Sequence, residues 1–184
     1  MTMDEASDRL LVQRTRDGDV NAFGELVQRY QASVFSVCYR LLGDTAEAED
    51  LAQESFLRAF RRLGSYDDTR PFGPWMRRVA ANLSLNVLAQ RRPAAAELDD
   101  EADEVPGDLQ DTPELAGDRA EQARKVRDGL LRLPAHFRAV IELRHYQEMS
   151  YDEMAAELGI SLGEVRTRLF RARRQMAKWL TEND

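Results

Sequence analysis

An all-α fold is predicted for this 184-residue chain: two small helical domains joined by an acidic, flexible linker. Apolar residues recur at helical spacing, and outside the linker no alternating apolar and polar run reaches strand length. Ser, Asp and Gly stand where helices must start and stop. Charge falls in blocks, with ten acids and no base between Ala94 and Asp118, interrupted by Pro106, Gly107, Pro113 and Gly117. Such a segment repels itself and has too little apolar surface to offset its chain entropy, so disorder is expected there. The domains are therefore placed at 1–93 and 119–184, with 94–118 as the linker.

Residues 4–17 form the first expected helix. After Gly18 and Asp19, one helical face gathers Phe23, Leu26, Val27, Tyr30, Val34, Val37 and Leu41, and Gly43 suits a left-handed C-cap. Asp44 caps the next helix, whose first turns hold Glu47, Glu49 and Asp50, as the helix dipole favours. Its buried stripe is Leu51, Ser55, Phe56, Ala59, Phe60 and Leu63, and Gly64 stops it. The loop SYDDTRPFGP follows, then a helix marked by Trp75, Val79, Leu83 and Val87 that ends near Pro93. Beyond the linker, 119–132 is helical, and Pro134 opens a helix carrying Phe137, Val140, Ile141 and Arg144 to about Gln147. Ser150 with Glu153, and Ser161 with Glu164, each have capping-box spacing.

The composition limits the chemistry. At 43% hydrophobic the chain can build a core, but no stretch reaches the roughly 18 apolar residues of a membrane span. The acidic start MTMDEASDRL is unlike a secretory signal. Cys38 stands alone and is expected as a small buried hydrophobe, while His136 and His145 are not ligand-spaced. A soluble protein of a reducing compartment, with no metal and no cofactor, is expected.

The net charge of −7 hides two cationic regions. Residues 58–93 carry eight Arg against Asp67 and Asp68, and residues 119–184 carry thirteen bases against ten acids. Phosphate binding needs local rather than global positive charge, so nucleic acid stays in play. The linker between them reads either as a solvated spacer, reaching about 80 Å at full extension, or as a polyanion that occupies a nucleic-acid channel until displaced.

The segment SYDEMAAELGISLGEVRTRLFRARRQM has helix-turn-helix spacing. Gly159 falls at the turn, Ala155 is small where the helices cross, and Met154, Leu158, Ile160, Val165 and Leu169 point into their contact. From Val165 to Lys178 there are six bases and no acid, with Arg166, Thr167, Phe170 and Arg171 on or near the half that reaches base edges in a major groove. The plainer alternative is a helical hairpin with a solvated basic face. In the first domain, Tyr66, Phe72 and Trp75 lie among Arg58, Arg61, Arg62, Arg70, Arg77 and Arg78. Rings interleaved with Arg suit single-stranded DNA, where charge follows the backbone and bases stack. The alternative is that Phe72 and Trp75 are core.

These motifs carry a resemblance. AEDLAQESFLRAFRRL followed by YDDTRPFGPWMRRVAANLSLN resembles region 2 of bacterial extracytoplasmic-function (ECF) sigma factors, and LPAHFRAVIELRHYQEMSYDEMAAELGISLGEVRTRLFRARRQM resembles their region 4. The resemblance implies an alternative sigma factor, not an enzyme, acting in the bacterial cytoplasm away from membranes. It would bind core RNA polymerase through its largest subunits, recognise −10 and −35 promoter elements, help open the duplex and answer to an anti-sigma factor. By that resemblance Asp50, Gln53 and Glu54 face the polymerase. The loop from Tyr66 to Phe72, with Asp68 and Arg70, captures a flipped base of the −10 element, and Arg58, Arg61, Arg62, Trp75, Arg78 and Asn82 lie near that element. Arg144 lies near the DNA backbone, and Arg166, Thr167, Arg168, Phe170 and Arg171 lie over the −35 element. Pro71 and Pro74, bracketing Phe72-Gly73, depart from the family pattern and are expected to stiffen the loop. A two-domain repressor would have no reason for the aromatic-Arg loop, and a nuclease would need carboxylates clustered for metal, for which Asp67-Asp68 and Glu47, Glu49 and Asp50 are the candidates.

Overall fold

A computed structural model describes residues 3–91 and 119–182, with side chains over 7–91 and 121–182. Among the described residues there are helices and turns and no strand, as the sequence predicts. The linker expected at 94–118 lies outside them. The chain divides into two compact units, Met1–Gln90 and Arg91–Asp184.

The first unit contains α1 (Met3–Arg16), α2 (Val20–Leu42), α3 (Thr45–Arg62), a 3₁₀ turn at Leu63–Ser65 and α4 (Phe72–Arg91). Asp19 caps α2 by accepting from the Asn21 and Ala22 amides, and α2 ends at Gly43 with φ +80°, which only Gly adopts cheaply. The face read from the sequence is the buried one: Leu26, Val34, Val37, Cys38 and Leu41 are closed to solvent. Asp44 accepts from the Glu47 amide at 2.9 Å and starts α3. Phe60 departs from its expected burial. It meets Phe23 edge-to-face at 5.0 Å but stays exposed on its other side.

Helix α4 buries a face offset from the expected stripe, of which Leu83 alone is fully inside. Phe72, Met76, Ala80, Ala81, Leu83 and Ser84 are inside, whereas Trp75, Val79 and Val87 are half-buried. Ala80 and Ala81 are closed to solvent, and the larger Trp75, Val79 and Val87 straddle the edge of the contact.

The second unit contains α5 (Arg119–Arg132), α6 (Ala135–Ile141), a π-helical turn at Glu142–Tyr146, α7 (Tyr151–Leu158) and α8 (Leu162–Glu182). Leu130, Phe137, Val140, Leu143, Met149, Met154, Val165 and Leu169 form its core. The helix expected to run to Gln147 widens into the π turn, with the Gln147 amide returning to the Glu142 carbonyl at 3.1 Å. Ser150 and Glu153 complete a capping box on α7, and Gly159 turns the chain with φ +65°. The second expected box is only half made. The Glu164 amide donates to Ser161 Oγ at 3.1 Å, but the Glu164 carboxylate is engaged by Arg168.

Candidate nucleic-acid interface

In the first unit the loop between α3 and α4 is built on an aromatic hub. Tyr66 lies 4.7 Å from Trp75 and 5.6 Å from Phe72, ring centre to ring centre, and Tyr30 of α2 meets Phe72 at 5.4 Å. Tyr66 and Phe72 are buried. The Tyr66 hydroxyl donates to the Arg70 carbonyl, closing the loop, and burial pushes its phenol up to about 12. Two of the three aromatics expected beside unstacked bases therefore carry the loop instead of offering free faces, and Trp75, half-buried at the hub's edge, keeps an accessible side.

Between the two buried rings, Asp67, Thr69, Arg70 and Pro71 are exposed and Asp68 is half-buried. Asp67 accepts from the Thr69 amide and hydroxyl, which holds its carboxyl below the usual range, and Arg70 is exposed. Arg61, Arg62 and Arg78 are exposed and Arg58 is half-buried. Asn82 is half-buried, with its Oδ1 buried and lacking a hydrogen-bond partner, so its acceptor is withheld from solvent. Beside the loop is a cavity of about 240 Å³ lined by Tyr66, Asp68, Thr69, Arg70, Pro71 and Phe72 together with Asp8 and Arg9 of α1. That is below the roughly 300–1,000 Å³ of a drug-sized site and suits a single ring system. The α1 residues carried no motif; the signal available was the helical spacing of Asp8, Val12 and Arg16.

On α3, Asp50, Gln53 and Glu54 are all exposed. Positions three and four apart share a helix face, so the three present one acidic and amide surface. Glu54 also lies 3.9 Å from Arg61.

In the second unit α7, the Gly159 turn and α8 form a helix-turn-helix. Arg166 is exposed, and Thr167, Phe170 and Arg171 are half-buried on the same stretch. Thr167 Oγ1 donates to the Gly163 carbonyl at 3.0 Å. Arg168 must be corrected. It is buried and ion-paired with Glu164 one turn earlier, so it belongs to the inner face of α8 and cannot reach DNA from there. Arg144, in the π turn, lies over the Tyr151 ring at 5.2 Å and donates to the Met149 carbonyl at 3.0 Å, tying that turn to the start of α7. Among the described residues no helix is long and apolar enough to cross a membrane, and no three His, Cys, Asp or Glu side chains are grouped to hold a metal ion.

A helix-turn-helix in one module and an Arg-lined loop over an aromatic hub in the other define a DNA-binding protein of two helical parts. The family model for sigma-70 region 2 matches residues 26–93, and that for sigma-70 region 4 matches residues 123–176. The chain is 33% identical over 179 residues to the ECF RNA polymerase sigma factor SigW of Bacillus subtilis, covering 93% of this chain and 95% of that one. It is 35% identical to the RNA polymerase sigma-H factor of Pseudomonas aeruginosa, covering 96% and 95%. It is 36% identical to the ECF RNA polymerase sigma-E factor of Escherichia coli, covering 92% of each. Among solved structures, CnrH in complex with the cytosolic domain of CnrY is 29% identical, with a TM-score of 0.57 over 97% of this chain and 99% of that one. The chain belongs to the ECF family of sigma-70 RNA polymerase sigma factors. It is a promoter-specificity subunit of RNA polymerase.

Proposed function

We propose that the two surfaces divide the work of promoter recognition, with residues 1–93 binding core polymerase and the −10 element, residues 119–184 binding the −35 element, and the acidic segment 94–118 linking them. The observation that carries this reading is the loop from Tyr66 to Phe72, which is braced by buried rings, fringed by Arg and open onto a cavity sized for one ring system. Extruding a base from the duplex takes a few kcal/mol, and stacking returns roughly 1–3 kcal/mol per base. A pocket that is already formed needs no further ordering to collect that return. In this reading Arg70 and Asp68 line the pocket mouth, Trp75 stacks at its edge, and Arg58, Arg61, Arg62 and Arg78 follow the phosphates. Asn82, with its acceptor turned inward, supports α4 more than it reads a base.

On α8, Arg166 and Arg171 reach base edges or phosphates of the −35 element, Phe170 meets a thymine methyl, and Thr167, its O–H given to the Gly163 carbonyl, keeps both oxygen lone pairs to accept from DNA. Arg144 touches the DNA backbone from the π turn. Asp50, Gln53 and Glu54 face a basic helix of the polymerase, where complementary charge sets partner choice. The protein acts in the cytoplasm as a binding subunit with no catalytic residues of its own. An anti-sigma factor holds it idle; the support is the family, together with the similar CnrH chain, which is seen in complex with a cytosolic domain of CnrY.

Trp75→Ala tests the loop. Holoenzyme carrying it should bind duplex promoter nearly as wild type but form about 10-fold fewer open complexes, the scale of one lost base–aromatic stack. Equal loss of both steps would remove the loop from the opening reaction.

A further inference from the structure

The family match to region 2 begins at residue 26 and leaves α1 unassigned, yet α1 makes the most extensive polar contacts to the loop. Arg16 lies across the start of the loop. Its Nε and one terminal nitrogen donate to the Leu63 carbonyl at 3.2 and 3.1 Å, and the same terminal nitrogen donates to the Tyr66 carbonyl. Its other terminal nitrogen pairs with Asp68 at 3.2 Å. Arg9, two helical turns earlier, donates from Nε to the Asp68 carbonyl at 3.0 Å. Asp8, beside it, is buried and accepts from Arg29 and from the Tyr30 hydroxyl, while the Tyr30 ring supports Phe72 at the far end of the loop. Three residues of one helix thus hold the loop at its start, at its middle and, through Tyr30, at its end.

We propose that α1 is the positioning element of the base-capturing loop, with Arg9 and Arg16 fixing its backbone and Asp8 setting Tyr30 beneath Phe72, so that promoter opening depends on a helix outside the region 2 match. The inference rests on the reading of the loop given above. Its physical basis is the planar guanidinium, which presents several donors in a fixed fork and can hold two carbonyls and a carboxylate together, whereas a lysine ammonium on its flexible stem cannot. A loop released from these bonds samples many backbone states, and the capture of an unstacked base would then have to order it first. Asp8 and Arg9 also line the cavity beside the loop, so α1 contributes to the pocket itself as well as to the hold on the loop.

The test uses the full chain assembled with core polymerase. Arg16→Ala, Arg16→Lys and Arg9→Ala are compared with wild type and with Trp75→Ala. The readouts are holoenzyme assembly, heparin-resistant open complexes on a duplex promoter, the same on a template already unpaired across the −10 element, and base preference from a −10 library. Arg16→Ala should reduce opening of the duplex by about 10-fold to 100-fold, the scale of a lost set of charge-assisted hydrogen bonds. It should flatten the −10 preference and leave assembly intact. Arg16→Lys should fold normally and still open poorly, and Arg9→Ala should show a smaller loss of the same kind. The unpaired template should recover part of the activity but none of the base preference. If the Arg variants open DNA and choose bases as wild type does while Trp75→Ala fails, the role of α1 is overturned and the loop reading stands. If Trp75→Ala also opens normally, the loop reading falls first. A loss of assembly that matches the loss of opening would make these arginines merely structural and overturn the proposal.

Discussion

Replacing Gly73 with Ala puts the link between loop and helix bundle under direct strain. A Cβ built at Gly73 would sit 2.7 Å from Cε1 and 3.3 Å from Cζ of the Tyr30 ring, with Arg77 at 3.4 Å. The ring cannot simply swing aside, because its hydroxyl is bound to the buried Asp8 carboxylate and its face lies against Phe72. Forcing one extra methyl into such a site costs about 1–3 kcal/mol, and loss of the bond to Asp8 would add about 1.5–3 kcal/mol. Against this, Ala is favoured over Gly in a helix by about 1 kcal/mol. The clash wins, and a net loss of about 1.5–5 kcal/mol follows, which at about 4–8 °C per kcal/mol is readily measured in a domain of this size. The chain's two tryptophans, Trp75 and Trp179, fall one in each unit. Trp75 fluorescence in a Trp179→Phe background therefore reports the first unit alone. In a Tyr30→Ala background the same Gly73→Ala change should become neutral or stabilising, since the ring it strikes is gone. A Gly73→Ala protein that melts at or above the wild-type temperature, with additive effects in the double variant, would show that the ring yields freely and that the loop is not braced as described.

Other consequences are as direct. Arg168→Ala should lower the stability of the second unit by about 1.5–3 kcal/mol, the range of a hydrogen bond to a charged group, and leave −35 base preference unchanged. Arg171→Ala should relax that preference with little effect on folding; binding to a library of promoter variants separates the two. Ser150→Ala removes the hydroxyl half of the α7 capping box and should cost about 1 kcal/mol by denaturant unfolding. The Tyr66 phenol, raised above its unfolded value of about 10 by burial, contributes stability that is fully present below pH 10 and is lost as pH rises toward about 12. Phenolate absorbance in wild type against Tyr66→Phe should show one tyrosine titrating late; a group titrating near 10 would contradict its burial.

Much of this architecture was legible because helices declare themselves through spacing and punctuation. Asp19, Asp44, Ser150, Gly43 and Gly159 act at the positions their chemistry dictates, and the α2 face from Phe23 to Leu41 packs as its period requires. What could not be read depended on competition between partners. Glu164 had a choice between closing a capping box on Ser161 and pairing with Arg168, and four-residue spacing to a buried guanidinium won. Arg168 itself sits between Val165 and Leu169 on the stripe that ends at Ala172, so its burial was visible in the periodicity but masked by its place between Arg166 and Arg171 in an acid-free run. The buried stripe of α4 is offset from the expected one because Phe72, Met76 and Ala80 share a face that the small Ala80 and Ala81 did not advertise by size. The hold of α1 on the loop joins residues more than 45 positions apart, as Arg16 and Leu63 do at a separation of 47, and no local pattern encodes such a pairing.

The most direct measurement of the central claim is transcription in vitro with purified core polymerase on randomised promoter DNA, followed by sequencing of the transcript starts. Adding this protein should create starts absent from core alone, with two shared sequence elements upstream, and charge reversal at Asp50 should abolish them together with holoenzyme assembly. Starts unchanged by the protein, or no association with core polymerase at all, would contradict the account.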